Sequence, residues 1–137
     1  MVRISRAAEY ALVAVKHMAL HPEDLVTARG LSTQYDLPAG LVAKTLQRLA
    51  TARIVESEKG AHGGYRLVGS LDRLSFLRLT EAVDGPFRFA ACEQNADRMC
   101  TRGDRCTVSG PVHALGARIS ALLSATTVGE VLQQGRQ

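Results

Sequence analysis

The chain has 137 residues, of which 46% are hydrophobic and 4% aromatic, so it is long enough for one domain with an aliphatic core. Its formal net charge of +4 suits a polyanionic partner such as nucleic acid. No apolar run approaches the roughly 20 residues of a membrane span, and the N-terminus shows no secretory leader, which predicts a cytoplasmic protein with no membrane partner.

The first three predicted elements are helices. The helical spacing of apolar residues predicts a helix over residues 5–20, with Ser5 as its N-cap. A second helix is predicted from the N-cap Thr27 to about Gln34. Pro38, a residue type favoured at the first position of a helix, predicts the start of the third. Two helices joined by about three residues are typical of a helix-turn-helix.

A β-hairpin follows these helices. Residues 54–57 and 65–68 have the composition of short strands, and the glycine-rich segment 59–64 between them predicts a turn. A helix pair followed by such a hairpin predicts a winged helix-turn-helix. A further short helix is predicted over residues 76–83, and the Asp-Gly-Pro sequence after it predicts its end.

The C-terminal third of the chain has a different pattern. Residues 87–106 lack periodicity and contain all three cysteines. Five apolar residues beyond them follow the alternating spacing of four and three that is typical of one helix packed along another. We call this set the seam, and it consists of Val108, Val112, Leu115, Ile119 and Leu122. The seam predicts a homodimer, and a capping box at Thr127 and Glu130 predicts a last short helix.

These patterns together predict a mainly α-helical fold with a small β-hairpin wing, that is, a winged helix-turn-helix plus a long dimerisation helix. The predicted divisions are a DNA-binding winged helix-turn-helix domain over residues 1–86, a cysteine-bearing loop over 87–107, and the dimerisation and C-terminal helices over 108–137. In a two-fold dimer of such units, the third helix of each subunit enters one of two successive major grooves of double-stranded DNA. The expected operator is therefore an imperfect palindrome.

Candidate DNA contacts lie on the third helix and the hairpin. The outward side chains of the helix are of types that read bases or contact phosphates, and small residues at its start allow close approach of the DNA. In the hairpin, glycines allow the backbone to approach phosphates while basic side chains donate hydrogen bonds. The candidates are Pro38, Ala39, Gly40, Lys44, Gln47, Arg48, Lys59, His62, Gly63, Gly64, Tyr65 and Arg66. An ordinary solvated helix face and a solvated turn are the alternative interpretations.

The three cysteines, Cys92, Cys100 and Cys106, have the spacing C-x7-C-x5-C. Thiolates are soft ligands suited to iron–sulfur clusters, zinc or copper(I), and zinc sites favour closer cysteine pairs. The spacing favours a metal centre without naming the metal, and a redox disulfide or packing cysteines are the alternatives. A fourth ligand would come from Glu, Asp or His, of which His113 is the nearest histidine. A catalytic cysteine needs an adjacent base, and the four histidines are scattered, so no enzyme is predicted.

Segments along nearly the whole chain resemble the Rrf2 family of bacterial regulators, the group of IscR, NsrR and RirA. Residues 4–12 resemble the first helix of that family, and residues 37–49 resemble its recognition helix. Residues 60–67, with the sequence GAHGGYRL, resemble its most specific motif, the G-x-x-G-G-Y wing. Residues 81–86 and 127–131 resemble its later signatures.

The resemblance implies a transcription regulator, a repressor, whose DNA affinity depends on an iron–sulfur cluster of the 2Fe-2S or 4Fe-4S type. Such a cluster can be lost on isolation. By match to the family's positions, the ligands would be Cys92, Cys100 and Cys106. Ser109 stands where IscR-like members carry a histidine, so the resemblance implies as fourth ligand a carboxylate from the first helix of the other subunit, Glu9. The implied signal is iron, nitric oxide or redox state, and a thiol/disulfide or zinc switch is the alternative.

Overall fold

The computed structural model describes residues 3–90 and 106–134, and its secondary structure is mainly helical. The elements in chain order are α1 (Arg6–Leu20), α2 (Ala28–Tyr35), α3 (Ala39–Thr51), β1 (Val55–Glu58), β2 (Gly64–Leu67), a 3₁₀ turn (Leu71–Arg73), α4 (Phe76–Asp84), α5 (Ser109–Ala125) and α6 (Val128–Gln134). This order confirms the predicted fold class, a helix-turn-helix followed by a two-stranded wing and further helices.

Side-chain caps define where the first two helices begin. The Ser5 hydroxyl accepts a hydrogen bond from the backbone N–H of Ala8 at 3.0 Å, and the Thr27 hydroxyl accepts one from Gly30 at 2.9 Å. Each cap satisfies a backbone donor that has no partner within the helix. Both N-caps predicted from the sequence are therefore confirmed.

The turn between α2 and α3 consists of residues 36–38. Asp36 adopts a left-handed conformation with φ of 53°, which its short polar side chain tolerates better than most. Pro38 precedes the first helical residue, and its carbonyl oxygen accepts from the N–H of Val42 at 3.0 Å. Helix α3 thus begins one residue later than predicted, at Ala39.

The core lies where α3 and α4 pack against α1. Helix α1 presents a buried face rich in small residues, which lets the larger apolar side chains of α3 approach closely. The buried residues of these two helices are Ala8, Ala11, Ala14, Val15 and Met18 of α1, and Val42, Thr45, Leu46 and Leu49 of α3. The Thr45 hydroxyl is buried but donates to the carbonyl oxygen of Leu41 at 2.8 Å, so its polar group is satisfied.

An aromatic contact links α1 to the end of α2. Nδ1 of His17 lies 2.8 Å from the hydroxyl oxygen of Tyr35, and the ring of His21 lies 4.5 Å from that of His17. Desolvation by burial and the neighbouring His21 lower the pKa of His17, while Asp24 opposes them. This contact was not apparent from the sequence, because it joins residues in different helices.

The hairpin is antiparallel, with Val55 opposite Leu67 and Glu58 opposite Gly64. A third segment joins it, because Val26 and Tyr65 exchange two backbone hydrogen bonds of 2.8 Å. The wing is therefore held both by α3, which packs on β1, and by the segment that leads into α2. This bridge fixes the position of the wing relative to the helix-turn-helix.

The C-terminal helices return to the same core. The N–H of Phe76 donates to Thr126 and the N–H of Val128 donates to Leu74, both at 2.8 Å. Val128 is fully buried. The predicted capping box is confirmed: the N–H of Glu130 donates to the Thr127 hydroxyl, and the N–H of Thr127 donates to the Glu130 carboxylate, both at 3.1 Å.

The seam on α5 is largely exposed in a single chain. Val108, Leu115 and Leu122 are 59%, 46% and 65% exposed, whereas Val112 and Ile119 are half-buried. Helix α5 packs on α4 by a different side, where Gly116 is buried against Phe89. Pairing of the seam with a second subunit stays a prediction. None of the described helices is long and apolar enough to cross a membrane.

Candidate nucleic-acid interface and cysteine segment

Helix α3 presents a solvent-exposed face opposite its core contacts. Lys44 and Gln47 are exposed there, and Pro38, Ala39 and Gly40 are exposed at its start. A Cβ atom added to Gly40 would meet no atom within 4 Å, so the fold itself does not require glycine at this position. The start of α3 therefore carries small exposed residues, and two longer exposed polar side chains follow, as the sequence predicted.

Arg48 belongs to this helix but has a partner inside the molecule. Its Nη1 donates to the carbonyl oxygen of Val83 at 2.8 Å, in the last turn of α4. A cation near a helix C-terminus also interacts favourably with the helix dipole. Arg48 thus links α3 to α4, and the DNA contact predicted for it stays a prediction.

The tip of the hairpin is exposed and carries Lys59 and His62. The turn includes Gly60 at φ of 122°, and the N–H of Gly63 donates to the Gly60 carbonyl oxygen at 3.0 Å. A Cβ on Gly63 would collide with the backbone carbonyl of Glu58. A Cβ on Gly64 would lie 2.9 Å from the carbonyl oxygen of Val26. Close packing within the chain thus requires both glycines, independently of any approach to phosphates.

The collision at Gly63 predicts that Gly63→Ala destabilises the protein by about 2 kcal/mol, the usual cost of forcing an extra methyl group into a packed site. The matched control is Gly40→Ala, where the added methyl meets open space and helix propensity improves by up to about 1 kcal/mol. Urea unfolding of the two variants measures the difference. Equal unfolding free energies would show that the turn relaxes around the methyl group.

Arg66 lies on β2, and its guanidinium group already has an ion-pair partner within the chain. Its Nη2 lies 3.0 Å from Oε1 of Glu58, across the hairpin. Its Nε is buried, with no hydrogen-bond partner among the residues that the structure describes. Tyr65, beside it, is half-buried and packs against the core. The contacts with DNA predicted for these two residues stay predictions.

The cysteine segment is described only at its ends. Cys92 and Cys100 lie outside the described residues, and Cys106 is half-buried just before α5. Glu9 is exposed in the first turn of α1. Within residues 3–90 and 106–134, no three His, Cys, Asp or Glu side chains are grouped so that they could hold a metal ion. Glu9 and Cys106 of one chain therefore do not complete a site with other described residues.

The segment's N-terminal end is fixed by two contacts that the sequence analysis missed. The N–H of Phe87 donates to Oε1 of Glu81 at 2.9 Å, and Phe89 packs on Gly116 of α5, where a Cβ would lie 3.0 Å from Phe89 Cβ. A glycine inside a helical pattern often marks such a close approach and was the available signal. In addition, the Ser5 hydroxyl donates to the Asp84 carboxylate at 2.7 Å, which ties the start of α1 to the end of α4.

Comparison with known proteins gives consistent matches. The profile of the Rrf2 family, described as iron-dependent transcriptional regulators, matches residues 4–134. The HTH-type transcriptional regulator IscR of Photobacterium profundum is 30% identical over 133 residues, which cover 96% of this chain and 76% of that protein. The structure of CymR, the global cysteine regulator of B. subtilis, is similar with a TM-score of 0.70 at 18% identity, over 98% of both chains. The structure of T. potens IscR gives a TM-score of 0.69 at 19% identity, over 98% of this chain and 89% of that one.

Proposed function

The chain belongs to the Rrf2 family of transcriptional regulators, and on this premise we propose that it binds double-stranded DNA through α3 and the β1–β2 hairpin. The observation that carries the proposal is the exposed face of α3, which stands opposite the core and next to a hairpin whose tip is basic. In a winged helix-turn-helix, the second helix of the pair enters the major groove. In this chain that helix is α3.

Each exposed side chain of this surface has a distinct role in the proposal. Gln47 is of the type that pairs with adenine in the major groove, while Lys44 contacts a phosphate or a guanine. Lys59 and His62 lie at the hairpin tip, where they would meet the phosphates beside the groove. Two such units related by a two-fold axis would bind an imperfect palindrome, and a bound dimer overlapping a promoter would repress transcription.

The salt dependence of DNA binding tests this interface. We expect Lys44→Gln and Lys59→Gln each to weaken operator binding about fivefold to tenfold near 0.1 M salt and to reduce the salt slope by about 1 per contact, because each removes one phosphate neutralisation. The matched control is Lys16→Gln, an exposed lysine on α1 outside the proposed surface. If all three variants show the same slope, α3 and the hairpin do not contact DNA.

We further propose that Cys92, Cys100 and Cys106 hold an iron–sulfur cluster, with Glu9 of the partner subunit as the fourth ligand. Thiolates are the usual ligands of such clusters, and in some clusters a ligand other than cysteine completes the set. When bound, the cluster supplies a centre that responds to iron, nitric oxide or redox state. The coupling would run through the chain's own residues: Phe87 is hydrogen-bonded to Glu81 of α4 and Phe89 packs on Gly116 of α5, so a change in the segment on cluster binding would reach these two helices. A thiol/disulfide or zinc switch is the competing proposal.

A further inference from the structure

Helices α3 and α4 are joined by two arginine side chains that cross between them in opposite directions. Nη1 of Arg48, in the last turn of α3, donates to the carbonyl oxygen of Val83 at 2.8 Å. Nη2 of Arg78, in the first turn of α4, donates to the carbonyl oxygen of Ala52, the C-cap of α3, at 3.1 Å. Each helix thus supplies one cation and one acceptor, and we call the two arginines the clasp.

The two acceptors of the clasp lie at helix C-termini, where backbone carbonyl groups have no partner within their own helix. A cation at such a position also interacts favourably with the helix dipole. The partners are 35 residues apart in sequence for Arg48 and 26 for Arg78, so both bonds are tertiary contacts. Hydrogen bonds are directional, whereas the burial of apolar side chains is not. The clasp therefore specifies the angle and register at which α3 lies on α4.

Helix α4 is a suitable anchor for α3 because its own C-terminal end is attached to two other parts of the chain. The Asp84 carboxylate accepts a hydrogen bond of 2.7 Å from the hydroxyl of Ser5 at the start of α1. Oε1 of Glu81 accepts one of 2.9 Å from the N–H of Phe87, beyond the end of α4. Val83 lies between these two attachment points and is itself buried. The bond from α3 therefore ends on a turn that is held from several sides.

We propose that Arg48 and Arg78 are positioning residues that hold α3 at the angle required to read bases, an inference that rests on the proposed DNA-binding function. Base edges in the major groove are read by hydrogen bonds with strict geometry, so a small rotation of α3 moves Lys44 and Gln47 away from them. Contacts with phosphates carry no sequence information and tolerate such a shift. Arg48 thus acts through the placement of α3 and not by contacting a phosphate.

Three possible roles of Arg48 lead to three different results when its guanidinium group is removed. Loss of a phosphate contact lowers the affinity for all DNA and reduces the salt slope by about 1. Loss of stability alone lowers the folded fraction, so operator and non-operator DNA lose affinity by the same factor. Loss of positioning lowers the affinity for the operator and leaves the salt slope unchanged, because the phosphate contacts persist.

The test uses Arg48→Met and Arg78→Met in the full chain, because methionine is a good helix former that keeps an apolar stem without the donor. We expect operator affinity to fall about fivefold in the Arg48 variant and about threefold in the Arg78 variant, whose bond is the more exposed. The matched control is Arg73→Met, which removes the same charge at an exposed site outside the clasp and the proposed DNA surface. Affinity for a scrambled duplex and the salt slope should be the same in all three variants.

A second measurement needs no DNA. Residual dipolar couplings of backbone amides give the orientation of α3 relative to α4 in the free protein. We expect this orientation to change in Arg48→Met and to be retained in Arg73→Met. An unchanged orientation, a salt slope lower by about 1, or equal losses for operator and scrambled duplex would each overturn the positioning role. If the parent protein binds no operator, the proposed function fails, and the dipolar couplings alone decide whether the clasp positions α3.

Discussion

After anaerobic reconstitution, Cys92→Ala, Cys100→Ala and Cys106→Ala are each expected to hold no stable iron–sulfur cluster. Three thiolates supply most of the coordination, so the loss of one leaves too few soft ligands to retain iron and sulfide. Binding of the cluster also supplies folding free energy to a segment with little apolar content, and that contribution is lost together with the cluster. Iron and sulfide content, with the visible absorption spectrum, measures the effect.

The fourth ligand is tested separately. Glu9→Ala is expected to leave a weaker or spectroscopically altered cluster, because a partner-subunit carboxylate is only one of four ligands. Glu23→Ala, which removes another exposed carboxylate, is the matched control and should match the parent protein. Identical spectra and cluster stability in both glutamate variants would exclude Glu9 and leave Ser109 or His113 to be considered.

Two further results would change the proposal itself. A full complement of iron and sulfide in any of the three cysteine variants would show that this cysteine is not a ligand. A colourless parent protein that contains zinc, or one whose DNA affinity follows disulfide formation between two of the cysteines, would favour the competing switch. In either case the DNA-binding proposal stands on α3 and the hairpin and is tested independently by the lysine variants.

The features that the sequence predicted well are those fixed by near neighbours in the chain. Ser5 and Thr27 cap helices through contacts three residues away, and the pairing of Thr127 with Glu130 spans the same distance. The exposed face of α3 follows from its helical periodicity alone, which places Lys44 and Gln47 opposite the core. Such local rules determine the elements and the composition of the candidate DNA surface.

Features that depend on distant parts of the chain could not be predicted from the sequence. Arg48 has the same outward periodicity as Lys44, yet it reaches the end of α4, 35 residues away in sequence. The glycines of the hairpin were predicted to allow phosphates to approach, whereas the structure shows that Glu58 and Val26 already require them. A surface groove is likewise formed by the end of α1, the loop after β2 and α6, which no local pattern brings together.

The double variant Leu115→Glu/Leu122→Glu is expected to convert a dimer into a monomer. Both leucines are exposed in the single chain, at 46% and 65%, so the fold of one subunit does not depend on burying them. In a symmetric dimer both subunits carry both substitutions, so the interface loses four leucine side chains. The loss of four partly exposed leucines weakens the dimer by at least about 4 kcal/mol, roughly a thousandfold in its dissociation constant. Burial of the introduced carboxylates adds to this cost.

Sedimentation velocity at micromolar concentration measures the change in mass, and Ala121→Glu is the matched control, an exposed residue on the side of α5 away from the seam. Circular dichroism should show the same helical content in all three proteins.

The monomer should also lose most of its operator affinity, because a dimer that has bound one half-site holds its second α3 at a high effective concentration over the other half-site. If the double variant stays dimeric, or if the parent is itself a monomer, the seam does not pair two subunits. Without that pairing, a carboxylate from the partner subunit has no route to the cysteine segment, so this measurement also decides whether Glu9 can be a ligand.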